Sequence, residues 1–440
     1  MSGAAAVPPA FQPRLPDERP AQPAEHRLAV RFTGSGSEYF RIWIVNLLLT
    51  LVTLSLYYPW AKVRRLRYFH TNTLVGGQPL DFHGDPKKML RGYLLVGLMV
   101  VLYSLAGRIS PVAGLVAFLI VAAIWPALLK ASMQFRLANT SWRGLRFRFK
   151  GSIPGAYHAM LPLFVPGLMF VAALLAVPDQ QHPPHWYGGF ALGVTLLSLL
   201  VLPWLWWNLK KYQHDHYALG PLQTELKASR GSFYGVFLKT FGVSLAAMVA
   251  MVIVGGVIGV AGFAGLASHA GGDRGRIVAA VIGAMLAAII GLLVVQLIPR
   301  PYFTSRMQNL LWSRTGNRAM RFRSELRFMP LLGLTLKNWL LMLLTLGLYW
   351  PFAAVATARM RYEAVSVRTA VDPDLLVDQV RGGDNDAAGD AAGDLFGLDI
   401  GLGAAERTRR DTDPGAAAGR RLLRRPQRSR PAGAAAAGRR

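Results

Sequence analysis

Apolar and polar stretches alternate along this chain on a long scale. Eight apolar stretches stand at about residues 42–60, 89–106, 111–129, 157–177, 187–207, 236–268, 277–298 and 331–353. A helix rises 1.5 Å per residue, so ~20 apolar residues cross the hydrocarbon core of a bilayer. Most of these stretches reach that length. A helix in a soluble bundle keeps a polar stripe toward water, and the run from Ile277 to Val295 has none. The pattern predicts an all-α membrane protein of about eight hydrophobic helices.

Six stretches pair into three hairpins through short turns at Gly107–Pro111, Pro178–Trp186 and Ala270–Arg276. The other connectors, 61–88, 130–155, 208–232 and 300–328, are long and hold 23 Lys and Arg, against three in the hairpin turns. Basic connectors stay cytoplasmic, so the hairpins rise from that face. The stretches 42–60 and 331–353 have no hairpin partner. Either they span, which sends both termini to the far side, or they re-enter.

The connectors also repeat. Each opens with a proline, at Pro59, Pro126, Pro203 and Pro299, and aromatics flank the first three. Asn72, Asn139 and His216 follow the first three by thirteen residues. Gly77, Gly144, Gly220 and Gly316 come 17 or 18 residues after their prolines. An apolar residue stands 23 residues after each (Phe82, Phe149, Leu226, Phe322), and a small one two further on (Gly84, Gly151, Ala228, Ser324). Phe32-Thr33-Gly34 opens the first unit, and a partial fifth copy begins at Tyr349-Trp350-Pro351. Lys62–Thr71 and Lys130–Ala138 read as interfacial helices. Leu145, Phe147 and Phe149 alternate with Arg146, Arg148 and Lys150, the period of a strand.

Composition sharpens this picture. Only 16% of the 440 residues are charged and mean hydropathy is +0.31, whereas soluble domains carry about 25% charge. The net charge of +26 in so apolar a chain points to anionic lipid headgroups. Nucleic acid is the weaker reading, because every basic cluster lies beside a span. Residues 31–370 form the polytopic domain with its internal repeats. Residues 1–30 are a Pro- and Ala-rich disordered lead without the apolar core of a signal peptide. Residues 371–403 hold eight Asp and one Arg and form an acidic flexible segment. Residues 404–440 hold 11 Arg, the composition of a basic disordered tail or of a sequence artefact such as a shifted reading frame.

Candidate chemistry is sparse. With no cysteine, disulfides, thiolate metal sites and cysteine nucleophiles are excluded. No GxxxxGK[ST], HExxH or GxSxG motif occurs, and residues 1–370 hold only 12 acids. No catalytic, cofactor or metal residues are assigned, and a non-enzymatic protein is expected. His214-Asp215-His216 and His182 with His185 read as polar loop residues, since two imidazoles fall short of a metal site. Lys62, Arg64, Arg65, Arg67, Lys130, Arg136, Lys210 and Lys211 follow the aromatics at span ends and read as contacts for anionic lipid. Asn46 and Asn338 hold related places in the repeat and read as an intramembrane polar pair.

The chain resembles the YjgN-like family of uncharacterised bacterial inner-membrane proteins. The resemblance rests on Phe32-Thr33-Gly34-Ser35-Gly36-Ser37-Glu38-Tyr39-Phe40, Trp43-Ile44-Val45-Asn46, Tyr58-Pro59-Trp60-Ala61-Lys62-Val63-Arg64, Tyr68 to Thr73, and Lys337-Asn338-Trp339 through Leu348-Tyr349-Trp350-Pro351-Phe352. It covers roughly residues 30–403 and implies a multi-pass inner-membrane protein, with no site residues to carry over. The expected function is transport or permeation of a small solute. The alternative is a non-transporting protein that organises anionic lipids or partner proteins.

Overall fold

The computed structural model describes residues 26–177, 182–269 and 297–372, with isolated residues in 274–285 and 374–378. Most of the described chain is helical, but the expectation of an all-α protein needs correction. An eleven-stranded sheet holds the connectors together. Its strands are β1 (His26–Phe32), β2 (Thr73–Val75), β3 (Gln78–Phe82), β4 (Thr140–Trp142), β5 (Leu145–Phe149), β6 (Tyr217–Leu219), β7 (Leu222–Gln223), β8 (Glu225–Leu226), β9 (Thr315–Gly316), β10 (Met320–Ser324) and β11 (Val365–Thr369).

The strand order is β7-β6-β5-β4-β3-β2-β1-β11-β10-β9-β8, with every pairing antiparallel. The two ends of that order, β7 and β8, are separated in the chain only by Thr224. The sheet therefore curls into a nearly closed ring, its two end strands joined through the chain at Thr224 rather than by a ladder. β1 begins at His26, so residues 26–30, expected as part of the lead, belong to the sheet.

Helices rise from this ring and return to it. In chain order they are α1 (Gly36–Val52), α2 (Tyr58–Thr71), α3 (Pro86–Ile109), α4 (Pro111–Ala138), α5 (Ile153–Met160), α6 (Val165–Leu175), α7 (His185–Asp215), α8 (Arg230–His269), α9 (Pro299–Arg314), α10 (Phe328–Leu344) and α11 (Trp350–Glu363). Among the described residues five helices are long and apolar enough to cross a membrane: Pro86–Ile109, Pro111–Ala138, Ile153–Leu175, His185–Asp215 and Arg230–Ile253. Their side chains are bare, as at Val100 (58% exposed) and Leu102 (55%), the surface that lipid tails would cover. Ser110 ends α3 and caps α4, its hydroxyl accepting from Ala113 N at 3.0 Å. The expected interfacial helix Lys130–Ala138 is the lower part of α4. The seventh apolar stretch, 277–298, lies mostly outside the described residues.

The unpaired stretches 42–60 and 331–353 each fold as a helix, a tight turn and a second helix. Leu54 (φ 47°) and Ser55 (φ 71°) turn the first, and Leu346 (φ 49°) and Gly347 (φ 91°) turn the second. The turns share their bonds. Thr53 Oγ1 accepts from Tyr57 N and Thr345 Oγ1 from Tyr349 N, both at 3.0 Å. Both feet of each hairpin stand on the ring.

Five backbone bonds mark where the units meet the ring: Thr33 N to Asn72 O, His83 N to Asn139 O, Lys150 N to His216 O, Lys227 N to Arg314 O and Glu325 N to Ala364 O, at 2.8–2.9 Å. Each acceptor lies thirteen residues after a buried proline: Pro59, Pro126, Pro203, Pro301 and Pro351. The ladder thus corrects the fourth position from Pro299 to Pro301. It also moves Ser324 into the place expected for Phe322. Gly77 and Gly144 sit in hairpin turns with φ of 81° and 82°, whereas Gly316 lies within β9.

Candidate functional site

The five segments that follow the buried prolines form a helical collar on the ring. Proline suits the first turn of a helix because it has no N–H to leave unpaired, and it opens α2 and α11. The feet are locked by packing. A Cβ on Gly84 would lie 2.5 Å from the Phe82 ring, and one on Gly151 2.4 Å from the Phe149 ring. Each phenyl ring folds over the glycine two residues on, which explains the apolar-x-small step. At the fourth ladder foot the sizes are exchanged: Ser324 is small and Leu326 is buried (4% exposed). Tyr68 Oη donates to Ser35 O at 2.7 Å, and Tyr212 Oη to Ser152 O at 2.9 Å, clipping together the two feet of their hairpins.

Cationic side chains on different collar helices lie within electrostatic reach of one another. Arg136 on α4 lies within electrostatic reach of Lys62 and His70 on α2, Lys210 on α7, Tyr217 on β6 and Tyr362 on α11. The unit ending in α11 is not adjacent to that ending in α4, because β1 and β2 stand between them in the ring. Burial, and then the charges of Arg136 and Arg65, pulls Lys62 below the ordinary lysine range. Burial also pushes Tyr362 upward, against the charges of Arg361, Arg65 and Arg136. Yet Lys62, Arg65, Arg136 and Arg361 remain exposed to solvent, as does Tyr362 at 38%. These groups lie among neighbouring protein and still reach solvent.

Neutral polar groups hold some of these cations. Lys210 Nζ donates to Gln213 Oε1 at 3.0 Å, and Arg361 Nε to Gln308 Oε1 at 2.9 Å. Arg65 lies over the Phe69 and Trp350 rings at 5.8 and 5.3 Å. Among the described contacts Arg136 has no hydrogen bond and no ion pair. His214 Nδ1 lies 3.0 Å from Thr315 Oγ1, and no group of three His, Cys, Asp or Glu suited to a metal occurs among the described residues.

Toward the turn ends of the strands the ring is apolar inside. Trp142, Leu145, Leu219 and Val377 form one cluster, with Leu28, Val75, Leu80, Phe147, Leu222 and Val371 packed against it. These residues come from seven strands and from the segment after β11, whose Asp374 is paired with Arg143. Residues 371–378 were expected in a flexible acidic segment; Val371 and Val377 instead pack against the ring, and the rest of 371–403, with 1–25 and 404–440, lies outside the described residues. The outer face of the sheet is basic: Arg27, Arg31, Arg146, Arg321 and Arg323 are all exposed, and Arg27, Arg368 and Arg321 stand opposite one another on three neighbouring strands.

The candidate lipid contacts therefore divide. Lys62 lies within electrostatic reach of Arg136 and Arg65, and Lys210 within reach of Arg136. Arg64 lies over the Tyr57 ring at 5.8 Å, Arg67 is exposed, Lys130 is half-buried, and Lys211 pairs with Asp215 at 2.9 Å. Asn46 and Asn338 are buried at 6% and 4% exposure, but no hydrogen bond joins them. Asn338 Nδ2 turns to Ala353 O (3.5 Å) and Thr357 Oγ1 (3.4 Å), and both Oδ1 atoms lack a partner. Sequence reasoning missed Arg361, Gln308 and Tyr362. The signal was present: Arg361 stands ten residues after Pro351, as Arg136 does after Pro126.

No solved structure matches the chain. The inner membrane protein YjgN of Salmonella typhimurium is 32% identical over 178 residues, 40% of this chain and 45% of that protein. YjgN of Escherichia coli K12 is 29% identical over 172 residues, 38% of this chain and 43% of that protein. The matched part thus spans less than half the length of these curated relatives. With its apolar helices, the likeness identifies a multi-pass bacterial inner-membrane protein. The profile of the bacterial proteins of unknown function DUF898 matches residues 27–395, and the chain belongs to that family.

Proposed function

We propose that this protein is a non-enzymatic membrane protein that lets a small solute permeate, with the collar as its cytoplasmic vestibule. What supports this reading is the joining of membrane-length helices to a nearly closed ring of strands, with exposed cationic side chains on the helices at its feet. In this reading the ring is five copies of one unit, the fifth assembled from β11 and β1. Units two to four cross the membrane, and the terminal two re-enter from the cytoplasmic face. The apolar cluster with Val377 is the closure of the vestibule, held by Asp374 and Arg143.

A second reading has its own support. The exposed arginines on the outer sheet face would hold anionic lipid or an acidic partner protein without any flux. The two readings separate in proteoliposomes, by light-scattering swelling assays in iso-osmotic glycerol, ribose and potassium phosphate with valinomycin. Protein-dependent swelling in any of them, increased by Asp374→Ala, is the expected result. No swelling in any solute with either protein would sink the permeation reading.

A further inference from the structure

Where α9 meets the start of α10 there is an open cleft of about 800 Å³. Arg306, on α9, and Arg327, the residue before α10, both line it, and both are exposed. Leu326, Phe328, Met329 and Glu325 line it with them. Packing fixes these walls. Asn309 Nδ2 donates to Leu326 O at 2.9 Å, and Asn309 Oδ1 accepts from Leu326 N and Ser324 Oγ, both at 2.8 Å. The Arg306 guanidinium lies 5.4 Å from the Tyr302 ring centre, and that ring meets Phe328 edge to face at 5.4 Å. The carboxylate in the wall, that of Glu325, is held by Arg323 at 2.6 Å. Among the described residues neither Arg306 nor Arg327 has a hydrogen bond or an ion pair through its side chain.

The arginine pair does not belong to the repeat. At the place of Arg327 the other four feet carry Ser35, Asp85, Ser152 and Ser229, whose side-chain oxygens accept from a backbone N–H two or three residues on. An arginine has no acceptor to offer there. At the place of Arg306, five residues after the buried proline, stand Arg64, Ala131, Asn208 and Ala356. The α9 unit alone sets two cations at its foot, and like charges in one cleft repel unless an anion joins them. Above the cleft the surface turns apolar. Met329 (69% exposed), Leu336 (48%), Leu340 (59%) and Leu344 (70%) follow one another at helical spacing up α10. They run about 22 Å along the helix, more than one leaflet's half of a ~30 Å hydrocarbon core. Lys337 is exposed beside them; a lysine stem lies along apolar surface while its ammonium turns to the headgroups.

We propose that this cleft binds one anionic phospholipid, its phosphate between Arg306 and Arg327 and an acyl chain along Met329, Leu336, Leu340 and Leu344. The planar guanidinium fork matches two oxygens of a phosphate. A headgroup without an amine is favoured, because the ammonium of a zwitterionic lipid would be brought up to two cations. The acyl contact rests on the reading in which the α10–α11 hairpin enters the bilayer; the phosphate contact stands without it, and neither needs solute flux.

The test uses the full-length protein, delipidated in neutral detergent. Phosphatidylglycerol and phosphatidylethanolamine are titrated in mixed micelles, and bound lipid is read by native mass spectrometry. The tightest phosphatidylglycerol should bind at least tenfold more strongly than phosphatidylethanolamine. Arg327→Ser should weaken it about fivefold, and Arg306→Gln added to Arg327→Ser should weaken it further. Arg327→Lys should keep part of the affinity, and Arg31→Gln, on the outer sheet face, should leave it unchanged. Serine is what three other feet carry, so Arg327→Ser should fold; circular dichroism and size exclusion check this, and Arg306→Gln alone takes its place if it does not. Met329→Gln should weaken the lipid and leave glycerol 3-phosphate, titrated by calorimetry, unaffected. Equal affinity for the two lipids overturns the proposal. So does equal loss in Arg31→Gln and Arg327→Ser, which would mean diffuse attraction. Glycerol 3-phosphate bound as tightly as phosphatidylglycerol also overturns it, in favour of a free phosphate ligand. Phosphatidylglycerol lost in Arg327→Ser, with Leu346→Cys labelled from outside intact cells, would support the site and remove the re-entry of the hairpin.

Discussion

The hairpins at the two ends of the chain and those in its middle stand on the same ring and do different things above it. The α1–α2 and α10–α11 hairpins have arms of 17 and 14 residues in both cases. An arm of 17 residues rises about 25 Å, short of a ~30 Å hydrocarbon core. The arms α3 and α4 have 24 and 28 residues, about 36 and 42 Å. Yet the feet of both kinds carry the same ladder bond, thirteen residues after a buried proline. The shared part is the ring and collar; the part exposed to lipid varies. Conserved geometry at the feet and free variation above them is what one expects if the collar holds the chemistry and the arms hold the bilayer.

This contrast can be broken by mutation. The largest effect is expected at the feet. Phe149 is 6% exposed and packs on Tyr212 and Ala156, so Phe149→Ala should cost about 3–5 kcal/mol. Leu102→Ala, on an arm where Leu102 is 55% exposed, should change stability by less than ~0.5 kcal/mol. Unfolding in mixed micelles followed by tryptophan fluorescence checks both. Equal losses would mean that the arms, not the feet, hold the fold.

Glycine substitutions give a middle-sized effect. Gly151→Ala places a methyl against Phe149 and the Tyr212 hydroxyl (2.4 and 2.6 Å) and should cost about 1–3 kcal/mol. Gly97→Ala, with nothing within 4 Å of the new methyl, should be neutral or stabilising, since alanine favours the helix. Thermal midpoints of the two variants in one detergent make the comparison.

The smallest effect lies in the twin turns. Thr345 Oγ1 donates to Leu341 O at 2.6 Å and accepts from Tyr349 N at 3.0 Å. Thr345→Val should lower stability by about 0.5–1.5 kcal/mol, and Thr53→Val by a similar amount. A loss in one turn only would show that the two terminal hairpins are not equivalent.

How much of this was legible in the sequence follows from range. The long apolar runs announced membrane helices because lipid demands some twenty apolar residues in succession, and Leu145–Lys150 announced a strand by its period of two. The ring itself was not legible. Its strands have two to seven residues, and each hairpin is completed by a strand from another unit, as where Phe82 meets Thr140. Pro299 reads as the fourth position because it stands at the end of an apolar run, and only the ladder to Arg314 points to Pro301. Basic residues were read together as lipid contacts because sequence counts charges without faces. Arg136 and Lys130 sit on one helix, yet Arg136 is exposed and Lys130 half-buried.

The central claim is that every unit has both feet on the cytoplasmic side and that only the middle units reach the far face. The chain has no cysteine, so single cysteines can be placed at will. Gly107, at the top of α3, is exposed with nothing within 4 Å of a new Cβ; Leu56, at the tip of the first hairpin, is 55% exposed; Arg146 lies on the outer sheet face. In intact cells, a membrane-impermeant thiol reagent should label Gly107→Cys and leave Leu56→Cys and Arg146→Cys untouched until the membrane is opened. Labelling of Leu56→Cys in intact cells would show that the terminal hairpin crosses, and labelling of Arg146→Cys would place the ring on the wrong side of the membrane.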